Sequence, residues 1–136
     1  MTLSVADIAH CLGGIVPPAL VTVDADGEPN IVRLSSVRAI DDRHLALTRQ
    51  FFGKTVTNLA VNPRAVIGVV DPATYDPYLA DLLFLRSETS GPLFARLSAE
   101  VDAIASIMGM SDVFKLKGAD VYEVLEIHAA HSGRPG

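Results

Sequence analysis

Along the chain, β-branched and aromatic residues arrive in short runs separated by turn residues. ALVTV (19–23) and NIVRLSSVRAI (30–40) are β-rich and flank DADGE, in which Asp26-Gly27 is a strong hairpin signal. A second tight turn at Asp41-Asp42-Arg43 leads to HLALT (44–48), so three antiparallel strands are expected in a row as a meander. RAVIGVV (64–70) is apolar almost throughout, the pattern of a strand buried on both faces. YLADLLFLRS (78–87) reads as a fifth, long strand, because a helix there would be apolar nearly all round, and DVYEVLEIH (120–128) reads as a sixth.

Helical spacing appears in three places. Ser4 with Asp7 three residues later has the form of a capped start, and Gly13-Gly14 then Pro17-Pro18 stop the short lead-in helix that Val5 to Leu12 would form. KTVTNLAV (54–61) puts Val56, Leu59 and Ala60 on one face before Asn62-Pro63 ends it. After SETSGP, Leu93, Leu97, Val101, Ile104 and Met108 recur at helical spacing from Pro92, and Gly109 terminates the run.

Six strands, mostly joined as hairpins, with one longer and a few short helices, close most economically into a small mainly-β barrel with helices packed outside it. An open sandwich is the alternative. With no internal repeat and no low-complexity segment, a single domain over 1–136 is expected, with 1–17 as lead-in and 129–136 as a loose tail.

Composition changes this picture in two respects. At 49% hydrophobic and a mean hydropathy of +0.33, the chain is apolar for a soluble protein, which points to a buried subunit interface. The formal charge of −5 argues against a nucleic-acid-binding face, yet the charge is uneven. Between Pro29 and Thr57, Arg33, Arg38, Arg43, Arg49 and Lys54 stand against Asp41 and Asp42, a local surplus that suits one small anion. No apolar run has the roughly 18–20 residues of a membrane helix, and MTLSVADIAH lacks a basic region ahead of an apolar one, so a cytoplasmic protein is expected.

The candidate chemistry gathers at TRQFFGKT (48–55). Its Gly-Lys-Thr ending is that of a nucleotide-binding P-loop, but the first glycine of that motif would fall at Thr48, where a β-branched residue resists the positive φ the loop needs. A triphosphatase is therefore excluded. Lys54 and Thr55 still stand at a helix start directly after a strand, where an ammonium, a hydroxyl and free N–H groups suit a phosphate. Arg49 and Gln50 adjoin them, and Arg33, Ser35 and Ser36 lie on a neighbouring strand, where only one of the two serines can face a given cleft.

Phe51-Phe52, in the same loop, are either core anchors or walls for an aromatic cofactor or partner subunit, and Tyr75, Asp76 and Tyr78 form a polar-aromatic connection. Cys11, the single cysteine, excludes an intrachain disulfide and reads as a packed thiol. His10, His44, His128 and His131 have no metal-ligand spacing, so no metal site is expected. No Ser-His-Asp or Cys-His arrangement assembles, so catalysis would have to come from something bound.

The run GEPNIVRLSSVRAIDDRHLALTRQFFGKTVTNLAVNPRAVIGVVDP, followed by SGPLFARLSAEVDAIASIMGMSDVFKLKGADVYEVLEI, resembles the pyridoxamine 5′-phosphate oxidase-related FMN-binding split-barrel proteins. The resemblance covers most of the chain from Pro18 to Ile127, and its most specific part is the strand followed by K-T and N-L-x-x-N-P-R-A. It implies a six-stranded antiparallel split barrel, a homodimer, and FMN in a groove between subunits. It further implies that Lys54 and Thr55 hold the FMN phosphate with help from Arg33 or Arg49. On the same basis Ser35, Ser36 and Val37 line the flavin ring through their backbone, Thr48 and Gln50 approach the ribityl chain or ring edge, and Phe114 to Lys117 reach the flavin of the other subunit. The groups that the oxidase itself directs at pyridoxine phosphate are absent, so pyridoxamine phosphate is not the expected substrate.

The function implied is that of an FMN-dependent oxidoreductase acting on a small organic or electron-carrier partner. Two other readings stay open: a flavin-binding redox or sensor module without turnover, and a split barrel that holds a deazaflavin, a haem or nothing.

Overall fold

The computed structural model describes residues 3–13, 16–34, 37–49, 53–107, 109 and 118–130. Its strands are β1 (Ala19–Val23), β2 (Pro29–Arg33), β3 (Val37–Asp41), β4 (His44–Arg49), β5 (Arg64–Val70), β6 (Pro77–Glu88) and β7 (Gly118–Ala129). The helices are α1 (Val5–Ile8), continued by a 3-10 turn over Ala9–Cys11, then α2 (Gly53–Val61) and α3 (Pro92–Ile107). The strands form one seven-stranded sheet in the order β2-β1-β5-β6-β7-β4-β3, and every pairing is antiparallel.

The expected strand over 30–40 is two strands, and they occupy opposite edges of the sheet. The reason lies in the alternation. Asn30, Val32 and Leu34 turn inward on even positions, whereas Val37 and Ala39 are the less exposed positions of β3, on odd numbers. A straight strand with a period of two cannot bury both sets on one face, so the chain must break phase between Leu34 and Val37. The predicted three-strand meander is accordingly two separate hairpins, β1–β2 and β3–β4, and the count rises from six to seven.

That break also forces the barrel. In a flat sheet of this order the edges would stand about 29 Å apart at about 4.8 Å per strand, but the link from Arg33 to Val37 spans at most about 14 Å. The sheet must roll until β2 and β3 approach. No β2–β3 ladder forms among the described residues, so the barrel is split along that line.

Leu20, Leu45, Ile67, Leu82 and Tyr122 fill the inside, and Val5, Ile8 and Cys11 of the lead-in pack against them. The lead-in starts as expected, with the Ser4 N–H donating to Asp7 Oδ2 at 2.7 Å. Outside, α3 lies on β4 and β7, where Leu97 and Val101 seat on Ala46 and Ala119, both small enough to let a helix approach closely. Arg38 of β3 forms an ion pair with Glu100 of α3.

The outer face of the other strands has no helix over it among the described residues. There β5 alternates rather than being buried on both sides: Ala65, Ile67 and Val69 are buried while Val66, Gly68 and Val70 are partly exposed. The register aligns Ile31, Val21, Val66, Asp81 and Glu126 in one row across this face, and Arg33, Ala19, Gly68, Leu79 and His128 in the next. Among the described residues, no helix is long and apolar enough to cross a membrane.

Candidate functional site

The split is where the chemistry-bearing residues meet. β4 ends at Arg49 beside the β3 edge, and after residues 50–52 the chain resumes as α2, which packs on β1 and bonds to β2 at the opposite edge. Helix α2 therefore follows the β3–β4 hairpin in the chain but is seated on the β1–β2 hairpin. Its seat is polar. Asn30 Nδ2 donates to Thr55 Oγ1 at 3.3 Å, and Asn58 Nδ2 donates to Thr22 Oγ1 at 3.1 Å.

These four residues form a matched set: Thr22 and Asn30 are cross-strand partners in the β1–β2 hairpin, and Thr55 and Asn58 lie one turn apart on α2. The face of α2 that is buried is thus Thr55, Asn58 and Leu59, while Val56 is 41% exposed. Sequence periodicity chose Val56, Leu59 and Ala60. The helix is rotated from that choice because Thr22 and Asn30, on the core side of the hairpin, need polar partners to offset their burial.

At the N-terminal end of α2, Lys54 is exposed and has no ion-pair partner among the described residues. The first turn of a helix leaves N–H groups without intrahelical acceptors and carries partial positive charge, so an anion is stabilised there. Thr55 is only 2% exposed. Its oxygen accepts from Asn30, which leaves its O–H free to donate.

Arg33, the last residue of β2, is exposed, and its Nη1 donates to the Pro17 carbonyl at 3.1 Å. Val37 opens β3 with its side chain in the core and pairs with Leu47. Thr48 is buried and lies opposite Ala119 of β7, and Arg49 pairs with Gly118. The Arg33-to-Val37 link holds the ends of β2 and β3 together, so Arg33, Val37, Thr48 and Arg49 are gathered at one end of the split.

Ser35, Ser36, Gln50, Phe51 and Phe52 lie outside the described residues, as do 114–117. Tyr75 is 74% exposed with a left-handed φ of 63°, at the tip of the β5–β6 connection rather than lining a cavity. Sequence reasoning missed Thr22, Asn30 and Asn58. The available signal was Asn58 next to Leu59, a polar residue one turn on from Thr55 along the side that turns inward.

No protein-family model matches the sequence, and no curated protein matches it significantly. Solved structures do match. An FMN-binding protein from Syntrophomonas wolfei subsp. wolfei superposes with a TM-score of 0.77 at 23% identity, over 93% of this chain and 86% of that one. An F420 reductase gives 0.63 at 15% identity, over 90% and 96% of the two chains. HutZ, the heme storage protein from Vibrio cholerae, gives 0.56 at 18% identity, over 82% and 84%.

The chain thus has the split-barrel fold of the FMN-binding, pyridoxamine 5′-phosphate oxidase-related proteins. Its relatives in fold carry three different cofactor names, so the choice among those cofactors is a question for this chain's own residues.

Proposed function

We propose that this chain binds FMN at the β4–α2 junction and works as a homodimeric, FMN-dependent oxidoreductase on a small organic or electron-carrier partner. The observation that carries the reading is Lys54: an exposed ammonium, without an ion-pair partner among the described residues, on the first turn of a helix that is fastened to the β1–β2 hairpin beside the split. The helix N-terminus supplies N–H donors, Lys54 a point charge and Arg33 a second cation near the rim, which together suit a dianionic phosphate. Bound flavin would supply the redox chemistry, while the protein binds, orients and excludes water.

The uncovered sheet face supports the homodimer. The first row is apolar over Ile31, Val21 and Val66, and Ile31, on the edge strand β2, is 65% exposed. Arg33 stands at one side of this face and Asp81 with Glu126 at the other. A two-fold axis through such a face sets opposite charges against each other, as a self-complementary interface requires. Arg33 belongs both to this face and to the proposed phosphate site, so flavin and partner subunit would share a border.

The test is titration of the purified protein with FMN, followed by flavin absorbance and fluorescence, repeated on Lys54→Ala. Loss of one charge-assisted hydrogen bond, about 1.5–3 kcal/mol, weakens binding by about 10- to 150-fold. Unchanged thermal stability with unchanged FMN affinity would sink the phosphate site. Turnover with NAD(P)H and an acceptor separates an enzyme from a redox module that is only reduced stoichiometrically.

The second reading is a deazaflavin cofactor, favoured by the F420 reductase superposition, which covers nearly all of both chains. Parallel titrations with FMN, F420 and haemin decide: tighter uptake of F420 or haemin than of FMN replaces the first reading.

A further inference from the structure

The connection after β5 brings a third potential ligand to two that are adjacent in sequence. His10 and Cys11 lie on the 3-10 turn that ends the lead-in, and Asp71 follows β5, sixty-one residues from His10. Their ligand atoms all fall within 4.8 Å of one another, and His10 Nε2 is 2.8 Å from Asp71 Oδ2. We propose that His10 Nε2, Cys11 Sγ and Asp71 Oδ2 form a binding site for a borderline divalent cation of the zinc class.

Each donor is presented in a distinct way. Asp71 is fixed from several directions: its N–H donates to the Asp76 carbonyl at 2.9 Å and its carbonyl accepts from the Tyr75 N–H at 2.7 Å. Its Oδ1 accepts from the N–H groups of Ala73 at 2.8 Å and Thr74 at 3.3 Å, which leaves Oδ2 turned to His10. Cys11 is only 2% exposed, and its thiol has no hydrogen-bond partner among the described residues. His10 is half exposed and keeps the room to adjust.

The surroundings favour a cation. Asp7, Asp71 and Asp76 all act on Tyr78, raising its phenol after the larger effect of burial. No Lys or Arg is ion-paired with any of these three carboxylates among the described residues; His10 is the one basic partner, on Asp71.

Zinc takes N and O donors at about 2.0–2.2 Å and sulfur at about 2.3 Å, which sets tetrahedral donor separations near 3.3–3.6 Å. Reaching them requires the His10–Asp71 contact to open by about half an ångström and the thiol to close in, a movement the exposed His10 ring permits. Binding replaces the thiol proton, which leaves to solvent, and takes His10 as a neutral ring. A fourth position on the solvent side remains for water. The tertiary contact explains why spacing in sequence offered no hint of this site: one ligand comes from sixty-one residues further along the chain.

The test uses the full-length, tag-free chain, stripped with chelator and titrated with Co²⁺, then Zn²⁺. One equivalent of Co²⁺ should produce a near-ultraviolet thiolate-to-metal charge-transfer band that Zn²⁺ abolishes and that Cys11→Ser lacks. His10→Gln and Asp71→Asn, which spare the core, should each weaken Zn²⁺ binding at least about tenfold, while His128→Gln leaves it unchanged. Absence of the band in the wild-type chain overturns the proposal. So does Zn²⁺ affinity that survives both His10→Gln and Asp71→Asn, and the contact is then only an ion pair tying the lead-in to the β5–β6 connection.

Discussion

Thr22→Val tests whether the polar seat holds α2 in place. The substitution exchanges a hydroxyl for a methyl at a residue 1% exposed, so volume hardly changes and no cavity opens. What changes is the partner of Asn58, whose Nδ2 now donates to Thr22 Oγ1 at 3.1 Å and lies too deep for water to replace it. A buried donor left unsatisfied costs about 1–3 kcal/mol. For 136 residues the unfolding entropy is about 0.29 kcal/mol/K, so the melting temperature should fall by about 3–10 °C.

The assay is thermal unfolding at one fixed protein concentration, because subunit association would otherwise move the midpoint. Thr22→Val/Asn58→Leu removes both polar partners and should recover about 1 kcal/mol relative to the sum of the single changes. FMN affinity should fall in Thr22→Val as well, since Lys54 rides on the helix that loses its anchor. A melting temperature within about 1 °C of wild type would refute the reasoning and show that Asn58 finds another acceptor.

Three further outcomes are expected. Ile31→Glu puts a charge on the exposed β2 edge of the uncovered apolar face; if the proposed homodimer forms there, sedimentation should show monomer with unchanged circular dichroism, and a dimer that persists would refute that interface. Asp71 is held below its ordinary 3.8, first by the Ala73 N–H and then by His10, and Asp41 likewise, first by the Arg43 N–H and then by His44. A depressed carboxylate contributes its full stability above its unfolded value and loses it as pH falls through the folded one, so urea midpoints should drop below about pH 4 and drop less in Asp71→Asn. Leu97→Ala, at the contact of α3 with Ala46 and Ala119, should cost about 2–5 kcal/mol in denaturant unfolding; a cost under about 0.5 kcal/mol would mean that α3 is not seated as described.

The kind of most elements is a local property, and the sequence by itself determined it, though the run 30–40 proved to be two strands rather than one. β5 coincides with RAVIGVV, α2 begins within a residue of Lys54, and Asp26-Gly27 makes its hairpin turn with Gly27 at a φ of 82°. Alternation, turn chemistry and helix stop signals act over a few residues, so they can be read from a few residues. The loop-to-helix junction with Lys54 was legible for the same reason.

Tertiary structure alone decided what depends on distant partners. Two edges of a seven-stranded sheet are tied by a link too short for a flat sheet, so the barrel rolls and splits, and only then can α2, which follows β4, take its seat on the β1–β2 hairpin. Which side of α2 turns inward followed from Thr22 and Asn30, more than twenty residues upstream, rather than from the helix's own apolar positions. The meeting of His10 and Cys11 with Asp71 has the same origin: a carboxylate brought in by strand pairing has no signature in the local spacing from which ligand motifs are read.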